Sequence, residues 1–361
     1  MRYAIIPWTS IFLNDKIFDI YDHTVNYDNR LEPYLDMKHE FEKNGHEIHT
    51  IDRYDDLNTV DYFLFFEISW RWVHRLIKMG KGNRLVYCNA EPPSVNINNC
   101  PSGYKKLSSF FSYILTWNDD WIDGKNIFKR NIPYYFPNVE SIGIPYEERK
   151  LLTFISGNKQ SKYPTELYSE RRKIVEYFEN NYSQYFDFYG SGWNAQEHVC
   201  YRGKAQKKLE IFQKYRFAVC FENIYGVKGY ITEKIFDCFV AGIVPVYWGA
   251  VNVDEYIPKS CFIDYREFSS YAELAEYLIS MKEVEYQSYI QNIKAFLASD
   301  AIKEFLGSKY AQYIISATSV YKNNLIGIKS RWKLIFWVIK EQKNELLMRM
   351  KKYLKSLINR R

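Results

Sequence analysis

Three linked runs decide the fold. Phe217-Ala218-Val219-Cys220-Phe221-Glu222-Asn223 leads through a loop to Gly229-Tyr230-Ile231-Thr232-Glu233-Lys234-Ile235, and then to Gly242-Ile243-Val244-Pro245-Val246-Tyr247-Trp248-Gly249. The first run is continuously apolar up to Phe221, as a parallel-sheet strand buried on both faces should be. Ile235, Phe236, Phe239 and Val240 recur at helical spacing, which predicts a helix over 233–241 with Thr232 as N-cap and Gly242 at its C-terminal end. The start of such a helix points free N–H groups and partial positive charge beyond the sheet edge, an arrangement suited to a diphosphate. Lys234 adds a full positive charge there, and Glu233 can accept two hydrogen bonds from vicinal ribose hydroxyls. A first-turn dipole partner and a solvated lysine describe the same pair equally well. Asn223 and Tyr230 favour the ligand-binding reading, because a nucleotide needs planar donors, acceptors and aromatic rings.

Working outward, apolar runs alternate with amphipathic stretches in both halves. Strands are predicted at 3–6, 47–51, 62–66, 84–88 and 113–116, with helices ending near Asn44-Gly45 and over 70–79. After a cluster of Pro133, Pro137, Gly143 and Pro145, strands are predicted at 151–156, 186–189, 217–221 and 243–247, with helices at 165–179, 204–214 and 233–241. The expectation is an α/β protein with two Rossmann-like domains facing a cleft: residues 1–150, residues 151–318, and a tail over 319–361.

The chain of 361 residues is 47% hydrophobic and 25% charged, which excludes wholesale disorder; the 33 Tyr and 24 Phe suggest extensive amphipathic contact surface. From Lys329 onward eleven Lys/Arg face only Glu341 and Glu345, a net +9 in a chain totalling +6, so the remainder carries −3. The basicity belongs to the tail. That argues against nucleic acid as a partner of the globular part and points the tail to an anionic surface. Its apolar positions Trp332, Ile335, Phe336, Ile339, Leu346, Leu347, Met350, Tyr353, Leu354, Leu357 and Ile358 recur every three to four residues. Two readings stand: an amphipathic helix lying in a membrane surface, and a return helix packed on the first domain. The six cysteines (88, 100, 200, 220, 238, 261) form no CxxC pair and read as reduced thiols. The N-terminal run through Trp8 reads as a strand rather than a signal segment. Together these predict a cytoplasmic protein, peripheral on the inner face of the cell membrane.

The runs quoted at the outset, with Tyr256-Ile257-Pro258-Lys259-Ser260-Cys261-Phe262-Ile263 and Tyr265-Arg266-Glu267-Phe268, resemble glycosyltransferase family 10, the α-1,3/1,4-fucosyltransferases. The resemblance is dense over roughly 210–280. It implies a GT-B fold, a GDP-fucose donor held by the second domain and inversion at the anomeric carbon. It makes Asn223, Tyr230, Glu233 and Lys234 donor contacts. Phe154-Ile155-Ser156-Gly157-Asn158 followed by Arg171 also resembles the family, which adds Ser156 and Asn158 to the donor set and gives Arg171 the departing diphosphate. Arg172 beside it leaves the register open. The cysteine pairs of the animal enzymes are missing, in keeping with a bacterial branch.

Inversion needs a base on the far side of the sugar, from the first domain. Glu91 follows the strand 84–88 in Asn89-Ala90-Glu91-Pro92-Pro93-Ser94, braced by two prolines, and the segment resembles the family's acid followed by Pro/Ser and Asn. Glu67, at the end of another strand, is the runner-up. No Asp-x-Asp occurs, so no metal site is assigned and no cofactor is required, with Mn2+ or Mg2+ left open as stimulants. The expected activity is inverting α-1,3 transfer of L-fucose from GDP-fucose to an N-acetyllactosamine-type acceptor in lipopolysaccharide synthesis, with a homodimer left open. The alternatives are another nucleotide sugar, or a non-enzymatic membrane adaptor working through the tail.

Overall fold

A computed structural model describes residues 1–139, 141, 143–320 and 331–358. The first lobe holds six strands: β1 (Arg2–Ile6), β2 (Glu47–Thr50), β3 (Tyr62–Phe65), β4 (Leu85–Cys88), β5 (Tyr113–Thr116) and β6 (Ile127–Lys129). They are all parallel, in the order β2-β1-β3-β4-β5-β6. Its helices are α1 (Glu32–Lys43), α2 (Trp70–Lys78) and α3 (Pro101–Leu107). The second lobe holds β7 (Lys150–Ile155), β8 (Phe186–Tyr189), β9 (Tyr215–Phe221), β10 (Val244–Trp248) and β11 (Ile263–Asp264), parallel in the order β11-β10-β9-β7-β8. Around it lie α4 (Tyr168–Tyr182), α5 (Lys208–Phe212), α6 (Glu233–Ala241), α7 (Tyr271–Ser280) and α8 (Glu283–Leu297).

The central strands are buried on both faces, which is why they read as uninterrupted apolar runs. In each sheet the strand order reverses once, at β1/β3 and at β7/β9, and ligands of open α/β sheets bind beyond the carboxyl ends at such points. Ser156 follows β7 and Glu222-Asn223 follow β9, so the second-lobe residues singled out from the sequence gather at its switch point. Glu91 lies three residues past β4.

The second domain, expected to run to residue 318, gives up its last helix. The helix α9 (Gly307–Val320) packs against α1, and its Tyr310, Ala311 and Ile314 share one core with Tyr3, Leu31, Met37 and Phe41. Ser308 N donates to Asp36 Oδ2 (2.6 Å), and the Tyr3 and Thr318 hydroxyls lie 2.7 Å apart. The approach is close enough that a Cβ on Gly307 would sit 1.8 Å from the Pro33 carbonyl oxygen. The amphipathic pattern of α9 marks an apolar face but not which lobe receives it.

The tail forms one helix, α10 (Arg331–Ile358). Its first turns lie along α2, with Val338 buried beside Trp70, Val73 and Ile77. Lys106 pairs with Glu341 (2.6 Å), and Gln342 Nε2 donates to the Trp70 carbonyl (3.3 Å). Farther on, Leu346, Leu347, Met350 and Tyr353 are exposed. The side chains of Trp332, Leu354, Leu357 and Ile358, and residues Lys329, Arg360 and Arg361, lie outside the described residues. Among those described, no helix is long and apolar enough to cross a membrane.

Candidate active site

Between the lobes lies a cleft of about 890 Å³. Its second-lobe wall includes Ser156, Arg171, Asn223, Tyr230, Glu233 and Lys234, and its first-lobe wall includes Glu91. Asn158 stands apart from the rest. Its side chain is exposed and does not line the cleft, while its backbone N–H donates to Ser191 O (2.8 Å).

The helix α6 begins as the sequence predicts, but Thr232 does not cap it with its side chain. Thr232 N and Oγ1 instead donate to the two carboxylate oxygens of Glu222, each at 2.8 Å. The first turn of α6 is thus not capped by Thr232, and the Glu233 carboxylate turns back on its own backbone N–H. Glu222 is fully buried and Lys234 Nζ lies 3.2 Å from its Oε2, with Thr232 Oγ1 at 2.8 Å and Glu233 Oε1 at 3.3 Å. Burial works against the ammonium charge, but these two carboxylates outweigh it and lift Lys234 above the ordinary lysine value. Desolvation likewise opposes ionisation of Glu233, yet Lys234 and Lys208 hold its carboxyl down at about 2. Glu233 is therefore a fixed anion and acceptor, and Lys234 a fixed cation. Glu222 is the residue the sequence reading passed over. Its signal was a carboxylate placed directly after a buried strand, where only a partnered one is tolerated.

Arg171 lies in the first turn of α4 and is buried. One guanidinium nitrogen donates to Phe221 O (2.6 Å) and to Asn223 Oδ1 (3.1 Å), another reaches Ser156 Oγ (3.4 Å), and the ring of Tyr168 lies 5.0 Å away. Its Nε is buried without a partner. Arg172, the alternative register, donates to the Lys159 carbonyl (2.7 Å) and does not line the cleft. Asn223 Nδ2 donates to the Tyr230 hydroxyl (3.2 Å), so Arg171, Asn223 and Tyr230 form one chain of hydrogen bonds.

Across the gap, Glu91 is open to the cleft. Desolvation by the surrounding lobes raises its carboxyl pKa; Glu233 adds to the rise and Lys234 opposes it. Its backbone is held from behind: Asn99 Nδ2 donates to Glu91 O (2.8 Å) and Tyr87 Oη donates to Asn99 Oδ1 (2.8 Å). Arg130 anchors the Asn89 carbonyl through Nε (2.8 Å). Glu67 does not line the cleft; its Oε1 accepts from Ile68 N (2.7 Å) and Asn96 Nδ2 (2.6 Å).

The lobes meet at Asp119, just past β5. Its carboxylate accepts from Lys129 Nζ (2.5 Å) in its own lobe, and from Tyr256 Oη (2.8 Å) and Asn252 Nδ2 (3.0 Å) in the other. Asn252 Oδ1 accepts from Gly229 N (2.9 Å), and the neighbouring Tyr230 ring rests on Trp117 at 4.7 Å. Gly229 has φ +76°, and a Cβ there would stand 2.3 Å from Trp117 O, so this joint requires glycine. Among the described residues no group of His, Cys, Asp and Glu has the arrangement to hold a metal.

The chain is similar to known proteins in sequence and in fold. Residues 148–308 match the model of glycosyltransferase family 10 (fucosyltransferase), C-terminal part. The chain is 38% identical over 74 residues to the alpha-(1,3)-fucosyltransferase FucT of Helicobacter pylori, a stretch covering 20% of this chain and 15% of that protein. It is 31% identical over 176 residues to 4-galactosyl-N-acetylglucosaminide 3-alpha-L-fucosyltransferase 9 of Rattus norvegicus, covering 46% and 44% respectively. The matched stretches thus span less than half the length of either relative. A crystal structure of an alpha1,3-fucosyltransferase with GDP-fucose superposes with a TM-score of 0.54 at 14% identity, over 90% of this chain and 91% of that one. This likeness establishes the fold, two Rossmann-like lobes in the GT-B arrangement.

Proposed function

We propose that the chain, whose residues 148–308 match the glycosyltransferase family 10 model and whose fold is GT-B, is an inverting α-1,3-fucosyltransferase using GDP-fucose. The acceptor is an N-acetyllactosamine-type glycan of a bacterial surface precursor. The observation that carries this reading is that Glu91 of one lobe and Arg171, Glu233 and Lys234 of the other line a single cleft.

In the reaction the acceptor oxygen forms a bond to the fucose anomeric carbon. The bond from that carbon to the β-phosphate oxygen breaks, and its electron pair leaves with GDP. Glu91 takes the acceptor proton. Arg171 and Lys234 offset the charge that develops on the diphosphate at the tip of α6, while Glu233 holds the ribose and Asn223 and Tyr230 orient the donor. Neutralisation by these cations leaves no step that requires a metal, and Mn2+ or Mg2+ would act as stimulants only. The exposed apolar positions of distal α10, interleaved with Lys and Arg, support attachment to the inner face of the cell membrane.

The test is incubation of the full chain with GDP-fucose, UDP-sugars or ADP-sugars and N-acetyllactosamine, with the product linkage read by NMR. GDP release with formation of an α-1,3-fucosylated trisaccharide is expected. Turnover of a UDP-sugar in place of GDP-fucose would overturn the donor assignment.

A further inference from the structure

The loop that leaves β1 contributes Tyr27 and Asp28 to the cleft wall. Among the described residues, the first-lobe side chains lining the cleft are Tyr27, Asp28, Ala90, Glu91, Val95 and Ile132, so Tyr27 and Asp28 join Glu91 in presenting polar side-chain atoms to an acceptor. Tyr27 is 58% exposed, yet it is not loose. The Arg30 guanidinium lies over one face of its ring at 3.9 Å and donates to its hydroxyl at 2.5 Å. Arg30 in turn sits over the ring of Phe12, which is fully buried, at 5.2 Å, and donates from Nε to Val25 O at 2.5 Å. A stack thus rises from the core through Phe12 and Arg30 to Tyr27, leaving the outer face of the Tyr27 ring uncovered. Asp28 and Asn29, with φ of +53° and +56°, are consecutive non-glycine residues in the left-handed region, which places the Asp28 side chain where an extended or helical backbone would not. Its charge reaches Lys208 on the opposite wall.

We propose that Tyr27 and Asp28 form a hexopyranoside subsite for the acceptor, the ring stacking on the C–H face of the sugar and the carboxylate accepting from its hydroxyls. An aromatic plate beside a carboxylate fits an amphipathic pyranose: the plate takes the apolar face, and the acid selects the hydroxyl pattern. The Arg30 stack supplies preorganisation, since the ring is already held in place before the sugar arrives. This inference rests on the fucosyl-transfer reading for the identity of the sugar, but the subsite can be tested without turnover.

Ligand-observed NMR titration of N-acetyllactosamine onto the full-length chain is the experiment, with wild type, Tyr27→Phe, Tyr27→Ala and Asp28→Asn compared. Tyr27→Ala is expected to weaken binding about tenfold, and Asp28→Asn several-fold, while Tyr27→Phe keeps the plate and binds close to wild type. Steady-state kinetics on the same samples should show the loss in the acceptor KM rather than the GDP-fucose KM. Wild-type binding that Tyr27→Ala leaves within twofold, or no wild-type binding, overturns the subsite. Tyr27-dependent sugar binding without any GDP-fucose turnover upholds the subsite and overturns fucosyl transfer instead.

Discussion

At the scale of single residues the site is a set of fixed charges. Glu91→Gln removes the proton acceptor and keeps the shape; kcat should fall about 10²–10⁴-fold with the GDP-fucose KM little changed, measured under saturating acceptor. The raised pKa of Glu91 gives a further expectation. The base works only when deprotonated, so kcat/KM should decline as pH falls through an apparent pKa above the usual carboxylate range, and Glu91→Gln should lack that limb. Lys234 carries a second, structural burden, because it neutralises the fully buried Glu222. Lys234→Met leaves that carboxylate uncompensated and should cost about 3 kcal/mol in denaturant unfolding as well as donor affinity, and Glu222→Gln in the same chain should restore part of the stability. That Glu91, Arg171, Glu233 and Lys234 would line one cleft was legible because each sits at a position set by the order of strand, loop and helix. Glu222 carried only the weaker signal of a carboxylate directly after a buried strand, and its partners Thr232 and Lys234 appear only in the fold. Asn158 shows the opposite error: adjacency to Ser156 in sequence says nothing of the turn that carries its side chain away from the cleft.

Elements tell a similar story. Strands such as β5 and β8, buried on both faces and four residues long, appear in the sequence with their boundaries, and α6 is announced by Gly242 beyond its last turn. β6 and β11 were missed because three and two residues carry too little periodicity to register. α3 was missed because its seven residues offer barely two turns. The placement of α9 differs in kind, since the expected boundary at 318 assigned its residues to the second lobe and they pack on the first. Its docking rests on Gly307. Gly307→Ala would drive a methyl group into the Pro33 carbonyl, and we expect a loss of about 1–3 kcal/mol, seen as a lower Tm with no change in donor affinity.

For the whole molecule, the question is how two lobes hold one geometry. Asp119 ties Lys129, Asn252 and Tyr256 together and, through Asn252, fixes Gly229 beside Tyr230. Asp119→Ala should loosen the donor loop from the first lobe, lowering kcat/KM for GDP-fucose about tenfold or more, while Asp119→Asn, which keeps acceptor capacity on one oxygen, should lose less. The tail divides in the same spirit. Removing residues 346–361 spares the contacts of Val338, Glu341 and Gln342 with the first lobe, so turnover of a soluble acceptor should persist while cosedimentation with anionic vesicles falls. The proximal turns of α10 pack on the first lobe, and vesicle binding by the distal turns is what this truncation tests.

The seating of α9 has a consequence for how the chain is made. The slot that Tyr310 and Ile314 fill lies in the lobe that emerges first from the ribosome, yet its plug is translated only after the whole of the other lobe. Until then the early half exposes an apolar furrow beside α1. The nascent protein must keep that seam from sticking to its neighbours while some two hundred further residues are added.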